Sequence, residues 1–233
     1  MPDAHPEDLT EVVEADEIAA AAHGELGRIA NKLYDEDAST EESFMAFMEW
    51  CESRGIELWP HQEEALMDIM VGDHVILGTG SGKSLVALGM HFMAMCFGER
   101  SYYTAPIKAL VSEKFFNLVE LLGRDNVGMI TGDVHINVDA PVICCTAEIL
   151  ANLALREGAE AQVHSVAADE FHYFSDFDRG WAWQVPLLTL PKTQFLLMSA
   201  TLGDVDEIAA TLQRQTGNTV SRVMNAPRPV PLS

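Results

Sequence analysis

The chain has 233 residues, of which 48% are hydrophobic and 21% charged; it is long enough to bury one large core and too apolar to be disordered throughout. No run of about 18 apolar residues occurs, so no conventional membrane-spanning helix is expected. The formal net charge of −22 argues against a broad basic surface that would bind nucleic acid without other help. That charge is uneven. Residues 1–58 hold 16 acids against Arg28, Lys32 and Arg54, a net of −13, and the remaining 175 residues carry a net of −9. The N-terminus lacks a secretory pattern and the chain has only four cysteines. A soluble protein of a reducing, cytoplasmic compartment, without disulfides, is expected.

Residues 1–22 are acidic and alanine-rich and read as frayed or weakly helical. Residues 40–54 read as an amphipathic helix: Thr40 can cap it, and Phe44, Phe47, Met48 and Cys51 fall on one face at 3/4 spacing. Gly55 ends it. Residues 1–58 are thus expected to form a small, acidic, helical N-terminal extension. From residue 59 the pattern changes to short apolar runs alternating with longer helical stretches. Strands are expected at 74–77, 101–105, 127–131, 141–146, 163–169, 194–199 and 219–223. Helices are expected at 82–97, 107–122, 147–156, 181–188 and 205–215. This alternation implies an α/β fold over residues 59–225: a parallel sheet of about seven strands with helices on both faces. Such sheets bind ligands at the edge formed by the strand C-termini.

The apolar stretch 85–97, which contains His91, reads as a buried helix. Cys144 and Cys145 are neighbours in an apolar strand and should face opposite sides as core residues. No CxxC or His-Cys cluster is present, so no structural zinc is expected. Residues 226–233 are proline-rich and read as a linker.

Two segments carry chemistry. The first is His74-Val-Ile-Leu-Gly-Thr-Gly-Ser-Gly-Lys-Ser84, a strand, a glycine-rich turn and a helix start. The backbone N–H groups of Gly78, Thr79, Gly80, Ser81 and Gly82 can form a nest for phosphate oxygens. Lys83 reaches the β- and γ-phosphates, and the Ser84 hydroxyl can ligate Mg²⁺. Leu77 stands where the strict pattern has its first glycine. The second is Val163-His-Ser-Val-Ala-Ala-Asp-Glu170, an apolar strand ending in two acids. Asp169 is suited to hold Mg²⁺, through water, and Glu170 to orient and deprotonate the attacking water.

Together these motifs and those around them resemble superfamily 2 helicases of the DExH type, and most of all the superkiller-type RNA helicases that act with RNA-degrading machinery. The likeness runs over 58–232, as a first RecA-like motor domain. It implies that Gln62, in Trp59-Pro-His-Gln62, reads the adenine edge. It implies that Thr104-Ala-Pro-Ile-Lys-Ala-Leu110, with Thr104, Pro106 and Lys108, contacts the nucleic-acid backbone. Ile130-Thr-Gly-Asp133 and Thr146-Ala-Glu-Ile-Leu150 resemble further strand-contact motifs, giving Thr131, Gly132 and Thr146 the same role. Asp169-Glu-Phe-His172 is the DExH box. His172 would relay between the ATP site and Ser199-Ala-Thr201, the motif that couples nucleotide state to strand grip through Ser199 and Thr201. Tyr173 and Asp178-Arg-Gly180 are also typical of the subgroup. Hydroxyls and N–H groups at strand ends, as at Thr104 and Thr146, can hold phosphates without reading bases.

The expected function is an ATP- and Mg²⁺-dependent helicase acting on single-stranded RNA, 3′→5′ by resemblance, with a second RecA-like domain supplying arginines to the γ-phosphate. The catalytic groups would be Glu170, Lys83 and Asp169. The resemblance leaves two alternatives open: a DNA helicase or repair translocase of the same superfamily, or a non-catalytic, nucleotide-switched scaffold whose acidic N-terminal region binds a protein partner. A nucleotide kinase would leave Ser199-Ala-Thr201 and the DExH box unexplained. No membrane association is expected.

Overall fold

The structure is a computed structural model and describes residues 24–78, 82–199 and 205–223. The first 22 residues and the expected linker lie outside that range. Three helices come first: α1 (Glu25–Asp35), α2 (Thr40–Ser53) and α3 (Pro60–Met70). Ser39 caps α2 through a box in which its hydroxyl accepts from the Glu42 N–H while the Glu42 carboxylate accepts from the Ser39 N–H. There follow β1 (His74–Gly78), α4 (Lys83–Cys96), β2 (Ser101–Ala105), α5 (Lys108–Leu122), β3 (Val127–Ile130), β4 (His135–Ile136), β5 (Val142–Thr146) and α6 (Ala147–Glu157). The chain continues through β6 (Ser165–Ala168), α7 (Trp181–Thr189), β7 (Gln194–Ser199), α8 (Asp206–Thr216) and β8 (Val220–Val223).

The strands form one sheet in the order β4-β3-β5-β2-β6-β7-β1-β8. Every pair is parallel except β3–β4, a short antiparallel edge. The sheet therefore has eight strands among the described residues, the addition to the expected seven being the two-residue β4, too short to leave a hydrophobic pattern. The fold is mixed α/β with a mostly parallel sheet, as expected.

Strand alternation splits the interior into two cores. Val75, Leu77, Tyr103, Cys144, Leu196 and Met198 face the side covered by α1 to α5. Ile76, Tyr102, Cys145, Val166, Phe195 and Leu197 face α6, α7 and α8. Cys144 and Cys145 thus point to opposite faces, both fully buried. Because helices cover both faces, the inner strands are almost wholly buried, while the edge strands β4 and β8 stay partly exposed.

Helix α4 shows why its sequence is apolar all round. Residues 86–96 are all buried, His91 included. One side lies on the sheet and the other is covered by α1, α2 and α3. A helix buried on every side has no use for a polar stripe. Gly89 allows the closest approach, since a Cβ there would lie 2.3 Å from a Leu66 methyl and 3.2 Å from the Phe47 ring. The helices before β1 are therefore packed into the same core as the sheet.

Two histidines are buried without charge. His74 Nδ1 accepts from the Phe195 N–H at 3.0 Å and its Nε2 lies 2.7 Å from the Thr216 hydroxyl. Burial pushes its pKa down to about 4. His91 Nδ1 lies 2.9 Å from the Ser101 hydroxyl, and burial, with Lys114 nearby, pushes its pKa down to about 3. In the unfolded chain both titrate near 6.5, so the unfolded state binds more protons below that pH. Their contribution is complete above pH 6.5 and is lost as pH falls toward 4. Between pH 6.5 and 5, above the carboxylate range, each should cost about 1.5 kcal/mol of stability. Urea midpoints measured across that interval check this, and replacing His74 by Gln should flatten the slope.

Candidate functional site

Parallel strands place their C-terminal ends along one edge, and the expected motifs other than Trp59–Gln62 follow strands there. Gly78 ends β1 and pairs in register with Ser199, the end of β7. Ala105, the end of β2, pairs with Thr146, the end of β5. Asp169 follows β6, which lies one strand away from β1, with β7 between them. The phosphate loop and the acidic pair are thus brought together. Thr79, Gly80 and Ser81, with Thr201, lie outside the described residues.

The loop enters α4 through Gly82, which has φ +97. A Cβ there would stand 2.0 Å from Gln62 Nε2, so both backbone conformation and space demand glycine. Gln62 is buried. Its Nε2 donates to the Gly82 carbonyl at 3.1 Å, and its Oε1 accepts from the Trp59 N–H at 2.7 Å. It thereby ties the start of α3 to the end of the phosphate loop. Lys83 and Ser84 occupy the first turn of α4.

Asp169 is held from three sides. Its N–H donates to the Thr104 carbonyl at 2.8 Å. One carboxylate oxygen accepts from the Tyr103 hydroxyl and the other from the Glu170 N–H at 2.9 Å. Burial, followed by the Asp169 charge and this hydrogen bond, raises the Tyr103 pKa, so the phenol stays a donor. Lys114, from α5, lies 5.2 Å from the centroid of the Tyr103 ring and donates to the Ser84 hydroxyl at 2.8 Å. Burial lowers the Lys114 pKa, and the Asp169 charge opposes that shift. A chain of contacts therefore joins Ser84, Lys114, Tyr103 and Asp169. The hydroxyl and carboxylate oxygens in it are hard donors of the kind Mg²⁺ takes.

Glu170 has φ +52, in the left-handed region. For a residue with a side chain that conformation costs of order 1 kcal/mol or more and persists only where surroundings enforce it. It turns the chain sharply out of β6 into a 3₁₀ turn, Phe171–Ser175. His172 Nδ1 lies 3.2 Å from Glu170 Oε2 and 3.5 Å from the Ser199 hydroxyl. The imidazole therefore stands between the acid and the end of β7.

Further along the edge, Lys108 is exposed and pairs with Asp133 at 2.5 Å, which holds the Asp133 carboxyl below its usual range. Gly132 is exposed beside it and Thr146 is half-buried as the residue before α6. Two hydroxyls expected on this face lie inside instead. Thr104 and Thr131 are each 1% exposed. Thr104 serves Asp169 through its carbonyl, and the Thr131 hydroxyl donates to Asp133 at 3.1 Å, bracing the turn that holds Lys108. Pro106 is buried, with its carbonyl accepting from Arg179.

Four side chains here carry no role in the sequence reading: Tyr103, Lys114, Glu148 and Arg179. Tyr103 lies in an apolar strand run and Lys114 in a polar run of a helix, and only their three-dimensional meeting with Ser84 and Asp169 reveals them.

Comparison with known proteins identifies the family. The family model of the DEAD/DEAH box helicases matches residues 59–208. The antiviral helicase SKI2 of Saccharomyces cerevisiae is 38% identical over 181 residues, covering 76% of this chain and 14% of the yeast protein. The DExH-box ATP-dependent RNA helicase DExH15, chloroplastic, of Arabidopsis thaliana is 36% identical over 182 residues, covering 74% of this chain and 16% of the plant protein. The probable helicase HelY of Mycobacterium tuberculosis is 36% identical over 156 residues, covering 66% of the chain and 17% of that protein. The chain thus spans 14–17% of the length of these relatives. Among solved structures, the helicase domain of Pyrococcus furiosus Hef superposes with a TM-score of 0.52 at 18% identity, covering 70% of this chain and 37% of that one, which speaks for the fold. Among the described residues no helix is long and apolar enough to cross a membrane. From the match over residues 59–208, together with the phosphate loop and DExH box on one sheet edge, the chain belongs to the DEAD/DEAH box helicase family, and superkiller-type DExH helicases are among its relatives.

Proposed function

We propose that this chain is the ATP-binding motor domain of an RNA helicase, residues 59–225 forming the motor and the helices before them covering one of its faces. The observation that carries the reading is the contact chain from Ser84 through Lys114 and Tyr103 to Asp169, with Glu170 and His172 at its end. On this reading the glycine-rich turn and Lys83 hold the phosphates, while Ser84 and Asp169 hold Mg²⁺. An ion held there would supply positive charge against that developing on the phosphoryl oxygens. Glu170 takes the proton of the attacking water. His172, between Glu170 and Ser199, reports the state of that acid to the segment after β7, where Thr201 lies. Lys108, Gly132 and Thr146 face the phosphates of a single strand, with Thr104, Pro106 and Thr131 shaping the turns that present them. RNA is favoured over DNA by the two Arabidopsis thaliana relatives, both known as ATP-dependent RNA helicases.

The relatives are several times longer than this chain, and a second RecA-like domain supplying arginines completes the site on this reading. Arginine fingers contribute on the order of 10³–10⁵ in rate in related enzymes. The 233-residue chain alone should therefore bind a fluorescent ATP analogue weakly and in a Mg²⁺-dependent way, hydrolyse ATP very slowly, and prefer single-stranded RNA to DNA of the same sequence. Nucleotide binding indifferent to Mg²⁺ would remove the reading. Fast, RNA-stimulated turnover by the chain alone would remove the need for a second domain.

A further inference from the structure

The turn after the DExH box places one arginine among three motifs. Asp176 fixes this turn, its carboxylate accepting from the N–H groups of Asp178 at 3.0 Å and Arg179 at 2.8 Å. The Arg179 guanidinium then reaches across the sheet edge. Its Nε and Nη2 donate to Glu148 Oε1 at 3.2 and 2.7 Å, and Nη2 also donates to the Pro106 carbonyl. Its plane lies 5.7 Å from the centroid of the Tyr173 ring. Glu148 sits in the first turn of α6, two residues after Thr146, where a carboxylate is favoured by the helix dipole. Pro106 leads from β2 toward Lys108. Ala105 and Thr146 are paired in register, so the arginine bridges two neighbouring strand ends just beyond their last ladder contact.

We propose that Arg179 is a positioning residue for nucleic-acid binding: it clamps the loop after β2 to the start of α6 and fastens both to the segment that follows Asp169–His172. The inference rests on the reading above that these two loops hold a strand. It does not require Arg179 to touch the strand, since its Nε and Nη2 donors act on Glu148 and Pro106. A guanidinium suits this place because one flat cation serves an acid, a carbonyl and an aromatic face at once. A lysine ammonium on a flexible stem cannot hold all three.

The test measures single-stranded RNA affinity of the 233-residue chain by fluorescence anisotropy, with nucleotide affinity and the thermal midpoint alongside. Arg179→Gln should weaken RNA binding by about tenfold, the scale of a lost charge-assisted hydrogen-bond pair. Glu148→Gln should weaken it by a similar factor, and the double variant no further, because both remove the same clamp. Arg179→Lys should fail to restore affinity. Unchanged RNA affinity in Arg179→Gln overturns the inference, as does full rescue by Arg179→Lys, or multiplied losses in the double variant. A matching loss of nucleotide affinity, showing general damage to the fold, also overturns it. If the unaltered chain binds no RNA, the nucleic-acid reading and the clamp fall together; if it binds and Arg179→Gln binds equally well, only the clamp falls.

Discussion

Replacing Glu170 by Gln should lower ATP turnover by about 10²–10⁴-fold, the range associated with loss of a positioned proton acceptor. The substitution keeps the shape of the side chain and removes its ability to take a proton. The environment argues for such a role. Glu170 is lodged in a left-handed backbone conformation immediately after Asp169, and its carboxylate faces His172 rather than a lysine or arginine that would neutralise it. Turnover should be measured in a polypeptide carrying both motor domains, with nucleotide affinity determined in parallel. Lost turnover with persisting Mg²⁺-dependent binding assigns Glu170 to the water. Lost binding and turnover together would make it a binding residue and leave the proton acceptor to be found elsewhere. A scaffold module switched by nucleotide would keep its biological activity in the Gln variant, so the same substitution separates that alternative from a motor.

Truncating Phe47 to Ala should destabilise the chain by about 3–5 kcal/mol, the range for removing a fully buried phenylalanine. Phe47 lies on α2, before any motif of the motor, yet is 1% exposed. Its ring centroid is 5.5 Å from that of Phe92 on α4 and 6.0 Å from that of Trp50. Its edge also meets the bare backbone of Gly89. The cavity left by alanine would open directly behind the helix that begins with Lys83 and Ser84. Urea unfolding of the variant against the parent chain measures the loss. A change below about 1 kcal/mol, the range of surface substitutions, would mean that α2 is dispensable to the fold.

The sequence was most informative where a residue type is forced by backbone geometry or charge. The glycine-lysine-serine run, the two acids after an apolar strand and the alternation of strands and helices all survive as features of one sheet edge. Cys144 and Cys145 were legible as core residues because neighbours on a strand must part. What escaped reading depends on contacts between distant segments. Helix α1 and helix α3 were not anticipated as elements. The first presents only Leu26, Ala30 and partly buried Ile29 and Leu33 to the core, a weak stripe that gains meaning only against α4 and α5. The second begins at Pro60 in a stretch whose interest lay in Gln62 alone. The hydroxyls of Thr104 and Thr131 were expected at the surface because the family resemblance makes them contacts to a nucleic-acid strand. Thr104 turns inward because strand alternation places it opposite Tyr103, on the side of the second core, and Thr131 because its hydroxyl donates to Asp133. Arg179 stood in a recognisable motif without a partner, and its two partners lie 31 and 73 positions away.

The parting of Cys144 and Cys145 to opposite sides of β5 gives the protein two built-in reporters separated by a single peptide bond. Burial pushes the Cys145 thiol up to about 12 and that of Cys144 higher still, while Cys51 and Cys96 rise to about 11. In the folded chain none offers an appreciable thiolate to an alkylating reagent. Labelling at Cys144 would time the opening of the layer that holds the phosphate-loop helix, and labelling at Cys145 the opening of the layer beneath the DExH turn. Mass spectrometry of one short peptide could therefore tell which side of this domain loosens first.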